Sequence, residues 1–344
     1  MRVLVTGGAG FIGSTVTARL LAAGMDVVVL DDLSTGSLAN LDACAVGHDR
    51  LTVVRGSVLD RAAVDAACAG VASVVHLAAH VSVPESVHRP RLAYDANVTG
   101  TITVLEAARA QAAQVLIASS ASVYGPGTGA PQREDQLPRP VSPYAASKLA
   151  AEQLALTWQA CYQLPTLVLR FFNVFGPRQL ATDAYAAAVP AFVTEALAGR
   201  TLAIHGDGRQ TRDFVPVGTV AEVVARAVTE RTCWPAPVNV ALGRSASLLE
   251  VLADLAEILG RPLEVHHGPA RPGDVPSSCG DGTLLRRIFP GLATPDLHAA
   301  LAETVAWHAA RVAPAQGPPA RPAGVPRVSP GFRQEVTSPS GPGE

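Results

Sequence analysis

The run Ser142-Pro143-Tyr144-Ala145-Ala146-Ser147-Lys148 sets a phenol and an ammonium four residues apart, which on a helix places both on one face. An unperturbed tyrosine loses its proton near pH 10, so a phenol acting as a base near neutrality needs a cation beside it to lower that value. Lys148 is the only lysine in the chain; every other basic residue is arginine. A compact ammonium with freely rotating donors can touch ribose hydroxyls and the phenol together, a task for which a planar guanidinium is poorly shaped. The chemistry this pair points to is removal of a hydroxyl proton beside a ribose-bearing cofactor. Upstream, Ala118-Ser119-Ser120-Ala121-Ser122-Val123-Tyr124-Gly125 follows a strand-like run, and a serine at a strand's carboxyl end can hydrogen-bond a reacting hydroxyl. Spacing alone does not choose among Ser119, Ser120 and Ser122, each of which also fits a turn cap.

A second constellation lies at the amino end. Gly7-Gly8-Ala9-Gly10-Phe11-Ile12-Gly13 stands between a strand-like and a helix-like run and satisfies the G-x-G-x-x-G spacing. Glycines there permit the tight turn, let the backbone approach a pyrophosphate and seat the helix close to the sheet; the helix N-terminus offers free N–H groups and partial positive charge. At the end of the next strand comes Leu30-Asp31-Asp32-Leu33-Ser34-Thr35-Gly36, with Asp31 placed to accept from the adenosine ribose hydroxyls. No arginine follows at once, which favours NAD over NADP.

These groups need a scaffold that brings strand ends together. Arg2 to Thr6, Asp26 to Leu30, Leu51 to Arg55, Ser73 to Leu77, Gln114 to Ser119 and Leu167 to Phe171 read as strands, several flanked by alanine-rich helical stretches such as Ser14 to Ala23. Their near-continuous Val and Leu predicts burial on both faces, hence an α/β fold with a doubly wound parallel sheet of the Rossmann kind. Beyond about Asn173 the rhythm loosens, with helical patterns at Ala187 to Leu197, Ser247 to Leu259 and Leu297 to His308 that predict a smaller substrate-binding α/β lobe. Val215 to Ala227 and Val238 to Ala241 are expected to return to the main sheet. The expected division is therefore 1–173 with 214–241 as the NAD-binding domain, 174–213 with 242–312 as the substrate lobe, and a Pro/Gly-rich tail, 313–344, too poor in apolar periodicity to order itself.

Composition closes off other classes of function. The chain of 344 residues is 48% hydrophobic and 16% charged with a formal charge of -2, so it can bury a large core and lacks the basic field that nucleic acid or anionic lipid recruits. Five cysteines without a C-x-x-C pair indicate neither a disulfide framework nor a zinc ribbon and fit a reducing cytoplasm. The chain enters a strand at once, without a signal-peptide pattern or a long apolar run, so neither secretion nor a membrane span is expected. His266 and His267 lack a nearby third ligand and are expected to be surface residues; no metal is predicted.

The residues quoted so far resemble the extended short-chain dehydrogenase/reductases, and within them the nucleotide-sugar epimerases of the UDP-glucose 4-epimerase type. The likeness spans roughly residues 1–310 and rests on VTGGAGFIGS, LDDLSTG, HLAA, Asn97-Val-Thr-Gly, SSASVYG, SPYAASKLAAE, FFNVFGPRQ, GDGRQTRDFV and RPGD. It implies Tyr144 and Lys148 as the catalytic pair, with Ser120, four residues before the tyrosine of V-Y-G, assisting the substrate's 4-hydroxyl. Gly7, Gly10, Phe11, Ile12, Gly13, Asp31, Asp32, Leu77, Ala78, Ala79, Asn97 and Ser119 would hold NAD. Ser120, Ser122, Tyr144, Asn173, Arg212, Arg271 and Asp274 would hold a UDP-sugar. The implied reaction is an internal redox loop in which C4 yields hydride to NAD, the 4-keto sugar turns over, and hydride returns to its other face. A homodimer is implied by resemblance only.

Several positions depart from the family's pattern. Ser57 stands where aspartate is common, Phe171 and Pro216 where tyrosine is common, and Val217-Gly218-Thr219-Val220 lacks the usual acidic residues. Ser277-Ser278-Cys279 lacks the tyrosine that narrows the sugar pocket, which suggests room for N-acetylhexosamines. Ala121-Ser122 replaces the Asp-Glu of related 4,6-dehydratases. Two alternatives accompany the epimerase reading: a UDP-glucuronate 4-epimerase, with Arg271 or Arg91 serving a carboxylate, and a non-catalytic NAD-sensing protein, which the Tyr/Lys pair disfavours.

Overall fold

Strands of unbroken Val and Leu are stable only where helices cover both faces of the sheet, and that requirement shapes the larger part of the molecule. The computed structural model describes residues 1–45, 49–127, 130–181, 187–270 and 275–312; Arg271, Asp274 and the tail from 313 onward lie outside them. The chain runs through β1 (Arg2–Thr6), α1 (Phe11–Ala22), β2 (Asp26–Asp31), α2 (Asp42–Ala45), β3 (Leu51–Arg55), α3 (Arg61–Cys68) and β4 (Ser73–His76). There follow α4 (Val83–His88), α5 (Pro90–Tyr94), a single π-helical turn at Asp95–Thr99, α6 (Gly100–Ala110), β5 (Gln114–Ser120), α7 (Pro143–Tyr162) and β6 (Thr166–Phe171). The second half comprises β7 (Asn173–Phe175), α8 (Ala188–Leu197), β8 (Leu202–His205), β9 (Thr211–Arg212), β10 (Phe214–Pro216), α9 (Val217–Thr229) and β11 (Val238–Val240). It ends with β12 (Ala246–Ser247), α10 (Leu248–Leu259), β13 (Val265–Gly268), β14 (Ser277–Ser278), α11 (Thr283–Ile288) and α12 (Leu297–Val312).

Seven strands form one parallel sheet in the order β11-β6-β5-β4-β1-β2-β3. Strand order reverses between β1 and β4, so the chain leaves a crevice at their carboxyl ends, where doubly wound sheets bind ligands. Alternate residues feed two cores. Val3, Val5, Val27 and Val29 pack with Val16 and Leu20 of α1 and with Val220 and Val224 of α9. Leu4, Val28 and Leu30 pack on the other side with Val64 of α3 and with Val104 and Leu105 of α6. A third core, built from Phe175, Phe192, Val193, Ile204, Val251, Leu255, Leu301 and Val305, belongs to the second lobe.

Val238–Val240 returns to the main sheet as a strand beside β6, whereas Val215 to Ala227 returns to it mainly as a helix packed on its face. Phe214–Pro216 pairs with β7 in a separate two-stranded sheet, and from Val217 the chain is helical. Pro216 can donate no ladder bond, and Val217, Val220, Ala221, Val224 and Val228 recur with helical spacing, so the run becomes a helix whose buried face lies on α1. Arg19 Nε donates to Glu222 Oε2 at 2.7 Å across that contact. No helix of the described residues is long and apolar enough to cross a membrane.

A buried ion pair ties α7 to the sheet. Arg170 of β6 donates to both oxygens of Glu152, Nη2 to Oε1 at 2.5 Å and Nε to Oε2 at 3.0 Å, with the two side chains 3% and 0% exposed. Its guanidinium also lies 4.7 Å over the Tyr124 ring, whose hydroxyl donates to Asn239 Oδ1 at 2.6 Å. Removing one partner leaves an uncompensated charge in the interior, so Glu152→Ala is expected to cost about 3–5 kcal/mol of stability, read from urea unfolding.

Candidate active site

Helix α7 starts where it does because Ser142 accepts a hydrogen bond from the Ala145 N–H at 3.1 Å and Pro143 occupies the first helical position, where a missing N–H costs nothing. That start sets the phase of the helix. Tyr144, Lys148 and Glu152 then fall at successive four-residue steps and meet three consecutive residues of the β5 end. The Tyr144 phenol lies beside the Ser120 side chain, Lys148 Nζ donates to Ala118 O at 2.9 Å, and Glu152 Oε2 accepts from Ser119 Oγ at 2.9 Å. The structure thus separates the three serines that spacing left open. Ser120 Oγ faces the phenol and also accepts from the Ser122 N–H at 3.1 Å. Ser119 gives its proton backward to Glu152, so the side chain of this predicted cofactor contact braces the helix. Ser122 Oγ is buried without a hydrogen-bond partner among the described residues, a costly condition that a ligand hydroxyl would relieve.

Burial sets the protonation states. The Tyr144 phenol is pushed above its ordinary value by desolvation, and the Ser120 hydrogen bond works against that rise. The Lys148 ammonium is pushed down to about 8 by desolvation. The sequence expectation that Lys148 lowers the phenol is therefore not met within the protein alone: the ammonium is turned onto a carbonyl, and withdrawal from water dominates.

At the other end of the crevice the glycine loop forms a backbone cradle. Gly7 has φ +69, and a Cβ there would stand 2.7 Å from the Ala78 N; a Cβ on Gly13 would lie 2.0 Å from the Gly7 carbonyl oxygen. At Gly7 and Gly13 the loop approaches the Leu77-Ala78 backbone and its own carbonyl too closely for any side chain but hydrogen. Gly10 caps α1 without a side chain, leaving its first turn open to an anion. Asp31 is buried, with Oδ2 accepting from Ala9 N and Oδ1 from Leu33 N, both at 2.9 Å. Each oxygen keeps a further lone pair, so the carboxylate shapes the loop while remaining able to accept from a ribose. Asp32 is exposed and holds only the Ser34 N–H, at 2.9 Å. These features fit a dinucleotide: pyrophosphate on the loop and ribose at Asp31.

Between the two ends sits Asn97, 2% exposed, whose Oδ1 accepts from His80 N at 2.8 Å while Nδ2 donates to His80 O at 3.0 Å and Ser147 Oγ at 2.9 Å. Sequence reasoning missed the residues behind it, His76, Thr6 and Thr101. His76 ends β4 inside the HLAA run, and a histidine at a buried strand's carboxyl end was the available signal. It missed Asp213 as well, which is fully buried, accepts from Leu242 N, Gly243 N and Gly280 N, and thereby pins the loop after β11 and the segment after β14 to the start of β10.

On the substrate side, Asn173 opens β7 and receives its register from a backbone bond to Asp213 O at 3.1 Å. Arg212 lies in the three-stranded sheet β12-β9-β14, with Nη1 on Thr211 O at 2.8 Å. Ser277 in the same sheet bonds Thr211 side chain to side chain at 2.9 Å. His266 and His267 are exposed on β13, where His267 Nδ1 meets the Gly206 carbonyl at 2.9 Å.

A parallel sheet with a glycine cradle at its switch point and a Tyr/Lys pair at the adjoining strand end defines a dinucleotide-dependent enzyme acting on a hydroxyl. The NAD dependent epimerase/dehydratase family matches residues 3–241, and the chain belongs to that family. It is 38% identical over 317 residues to the UDP-glucose 4-epimerase of Mycolicibacterium smegmatis, covering 89% of this chain and 97% of that one. Among solved structures it resembles the Thermus thermophilus UDP-glucose 4-epimerase complex with NAD, at 35% identity and TM-score 0.81, covering 91% of this chain and all of the other. It resembles the UDP-N-acetylglucosamine 4-epimerase of Methanobrevibacter ruminantium in complex with UDP-N-acetylmuramic acid at 33% identity and TM-score 0.85, covering 90% and 98%. The protein is an NAD-dependent epimerase acting on nucleotide sugars.

Two measurements test this geometry. Tyr144→Phe is expected to lower kcat about 10²–10⁴-fold while NAD stays bound, the loss typical of a removed general base. With a single lysine in the chain, isotope-labelled lysine yields one NMR signal, expected to titrate near pH 8 in cofactor-free protein and not at 10.5. Because folding lowers this value, the unfolded chain holds more protons between the two, and this group's contribution to stability rises as pH climbs through that interval.

Proposed function

We propose that the protein interconverts the C4 epimers of a UDP-sugar, UDP-glucose with UDP-galactose and, given small residues in its sugar-facing strand, UDP-GlcNAc with UDP-GalNAc. The observation that carries this reading is the placement of Tyr144 and Lys148, one turn apart on α7, against the Ala118-Ser119-Ser120 end of β5 at the sheet's carboxyl edge, with Lys148 Nζ on Ala118 O. Bound NAD supplies the hydride acceptor, the later hydride donor and the positive charge of its oxidised ring.

The protein's own groups handle the proton. Ser120 Oγ and the Tyr144 phenol form a two-hydroxyl relay through which the substrate's 4-hydroxyl proton passes to the phenolate and returns after the sugar has turned. Lys148 orients the cofactor ribose, and its ammonium, desolvated and close to losing its own proton, favours the negative phenolate once drawn toward it. Asn173 and Arg212, with Arg271 and Asp274 from the undescribed segment, grip the nucleotide diphosphate end and leave the hexose to rotate. Dehydration has no support from this turn, because Ala121 and Ser122 stand where the dehydratase acid and base would. For a uronate substrate, Arg91 offers little: it is exposed and paired with Asp95 at 3.2 Å. We infer a homodimer in the cytoplasm as the working form, on the family likeness and the cysteine usage.

The purified protein, incubated with UDP-hexoses, UDP-N-acetylhexosamines and UDP-glucuronate, is expected to give C4 isomers of the first two classes without added reductant. Turnover confined to UDP-glucuronate, or none with any UDP-sugar, overturns the assignment.

A further inference from the structure

We infer that His76 is a positioning residue for the reaction proposed above, locked as the neutral Nε2–H tautomer in a one-way hydrogen-bond chain that ends on the backbone carbonyl of Asn97, the residue whose side-chain amide bonds through Ser147 to the backbone of Tyr144.

The direction of every link is forced. Thr101 Oγ1 lies 2.6 Å from the Asn97 carbonyl oxygen, which can only accept, so the Thr101 hydroxyl donates there and must accept from His76 Nε2 at 3.0 Å. Nε2 therefore carries the proton and Nδ1 does not. Nδ1 then accepts from Thr6 Oγ1 at 2.8 Å, leaving Thr6 free to accept the Ala78 N–H at 3.3 Å. No proton is left over and no acceptor is doubled. On the far side, Asn97 Nδ2 donates to Ser147 Oγ, which donates to the Tyr144 carbonyl at 2.7 Å. Tyr144 is held from its other end too, its N–H donating to Ser86 Oγ at 3.1 Å.

The chain links the backbone beneath the dinucleotide cradle, at Ala78, to the backbone of Asn97, and the Asn97 side chain carries the connection on through Ser147 to Tyr144. His76 is the only member that reaches both the strand side and the helix side. Asn97 and Thr101 meet through the π-helical turn Asp95–Thr99 that joins α5 to α6, a local widening that commonly marks functional sites. The imidazole is 4% exposed and close enough to Lys148 to feel its charge. A second cation there would oppose the ammonium that Tyr144 and the cofactor need, and the Thr101 and Thr6 hydroxyls disfavour that form, because a doubly protonated ring would force the Thr6 hydroxyl to turn away and lose the acceptor it now has in Nδ1.

The inference rests on the epimerase reading, so its test has one arm that needs no turnover. In nitrogen-edited NMR of the holoenzyme at neutral pH, the histidine signal that vanishes in His76→Gln is expected to show a protonated Nε2 and a bare Nδ1. Thr101→Val, which keeps volume and cuts one link, is expected to lower kcat about ten- to a hundredfold with KM within about twofold, NAD content unchanged, and activity restored in Thr101→Ser. A protonated Nδ1 in the wild type, or a Thr101→Val enzyme with wild-type kcat, overturns the inference. Wild-type protein that turns over no UDP-sugar yet shows the Nε2–H ring sinks the substrate assignment and leaves the tautomer standing.

Discussion

The register of one helix against one strand end is the constraint on which the rest of the site depends. Side chains at four-residue steps along α7 meet Ser120, Ala118 and Ser119 of β5, and those three contacts differ in kind: a hydroxyl beside the phenol, a carbonyl holding the ammonium and a carboxylate bracing the helix. A helix that began one residue later would rotate by about 100° and carry the phenol away from the relay serine. The Ser142 cap and Pro143 set the first turn, and the Glu152 to Arg170 pair holds the third. Reactive groups lie between two anchors that themselves do no chemistry, which is how a site keeps sub-ångström precision at modest cost.

Withdrawal from water governs the charges. It raises the phenol and lowers both the Lys148 ammonium and His76, the last to about 3. A carboxylate beside a guanidinium answers the same pressure by pairing, as Glu152 and Arg170 do, while a histidine answers by staying neutral between two threonines. The catalytic pair sits in an environment that disfavours both of its charged forms, so charge brought by a bound coenzyme has large leverage there, where the effective dielectric is low.

The second lobe is joined to this apparatus through Asp213. Its carboxylate gathers three backbone N–H groups from two separate segments, and burial raises its proton affinity against those bonds. Adjacent Arg212 and, across the Asp213 carbonyl, Asn173 thereby take their places relative to the main sheet. Residues expected from resemblance to grip the nucleotide are thus mounted on a hub that no motif reading singled out.

Local rules carried much of the fold. Six strand runs, the first helix over Ser14 to Ala23 (though not its start at Phe11), the glycine loop and the Tyr144/Lys148 spacing were legible, because strand burial, helix period and glycine geometry are written in consecutive residues. The path of Val215 to Ala227 was not, since an apolar run of that kind suits a strand or a helix until a proline and a neighbouring helix decide between them. Nor was the choice among three serines, which depends on which way each hydroxyl points once α7 has docked. Asp213 and the Glu152 pair were invisible for a related reason, and His76 was only signalled by its place at a buried strand's end: their partners lie far away along the chain, and buried polar groups reveal their role only through the atoms that satisfy them. The amino-acid sequence by itself determined the layered sheet, the glycine loop at its switch point and the four-residue spacing of Tyr144 and Lys148 on one helix face. Tertiary structure alone decided which serine lies beside the phenol, where burial moves each pKa and which hydroxyls flank the imidazole, because those outcomes follow from distances between residues that only folding brings together.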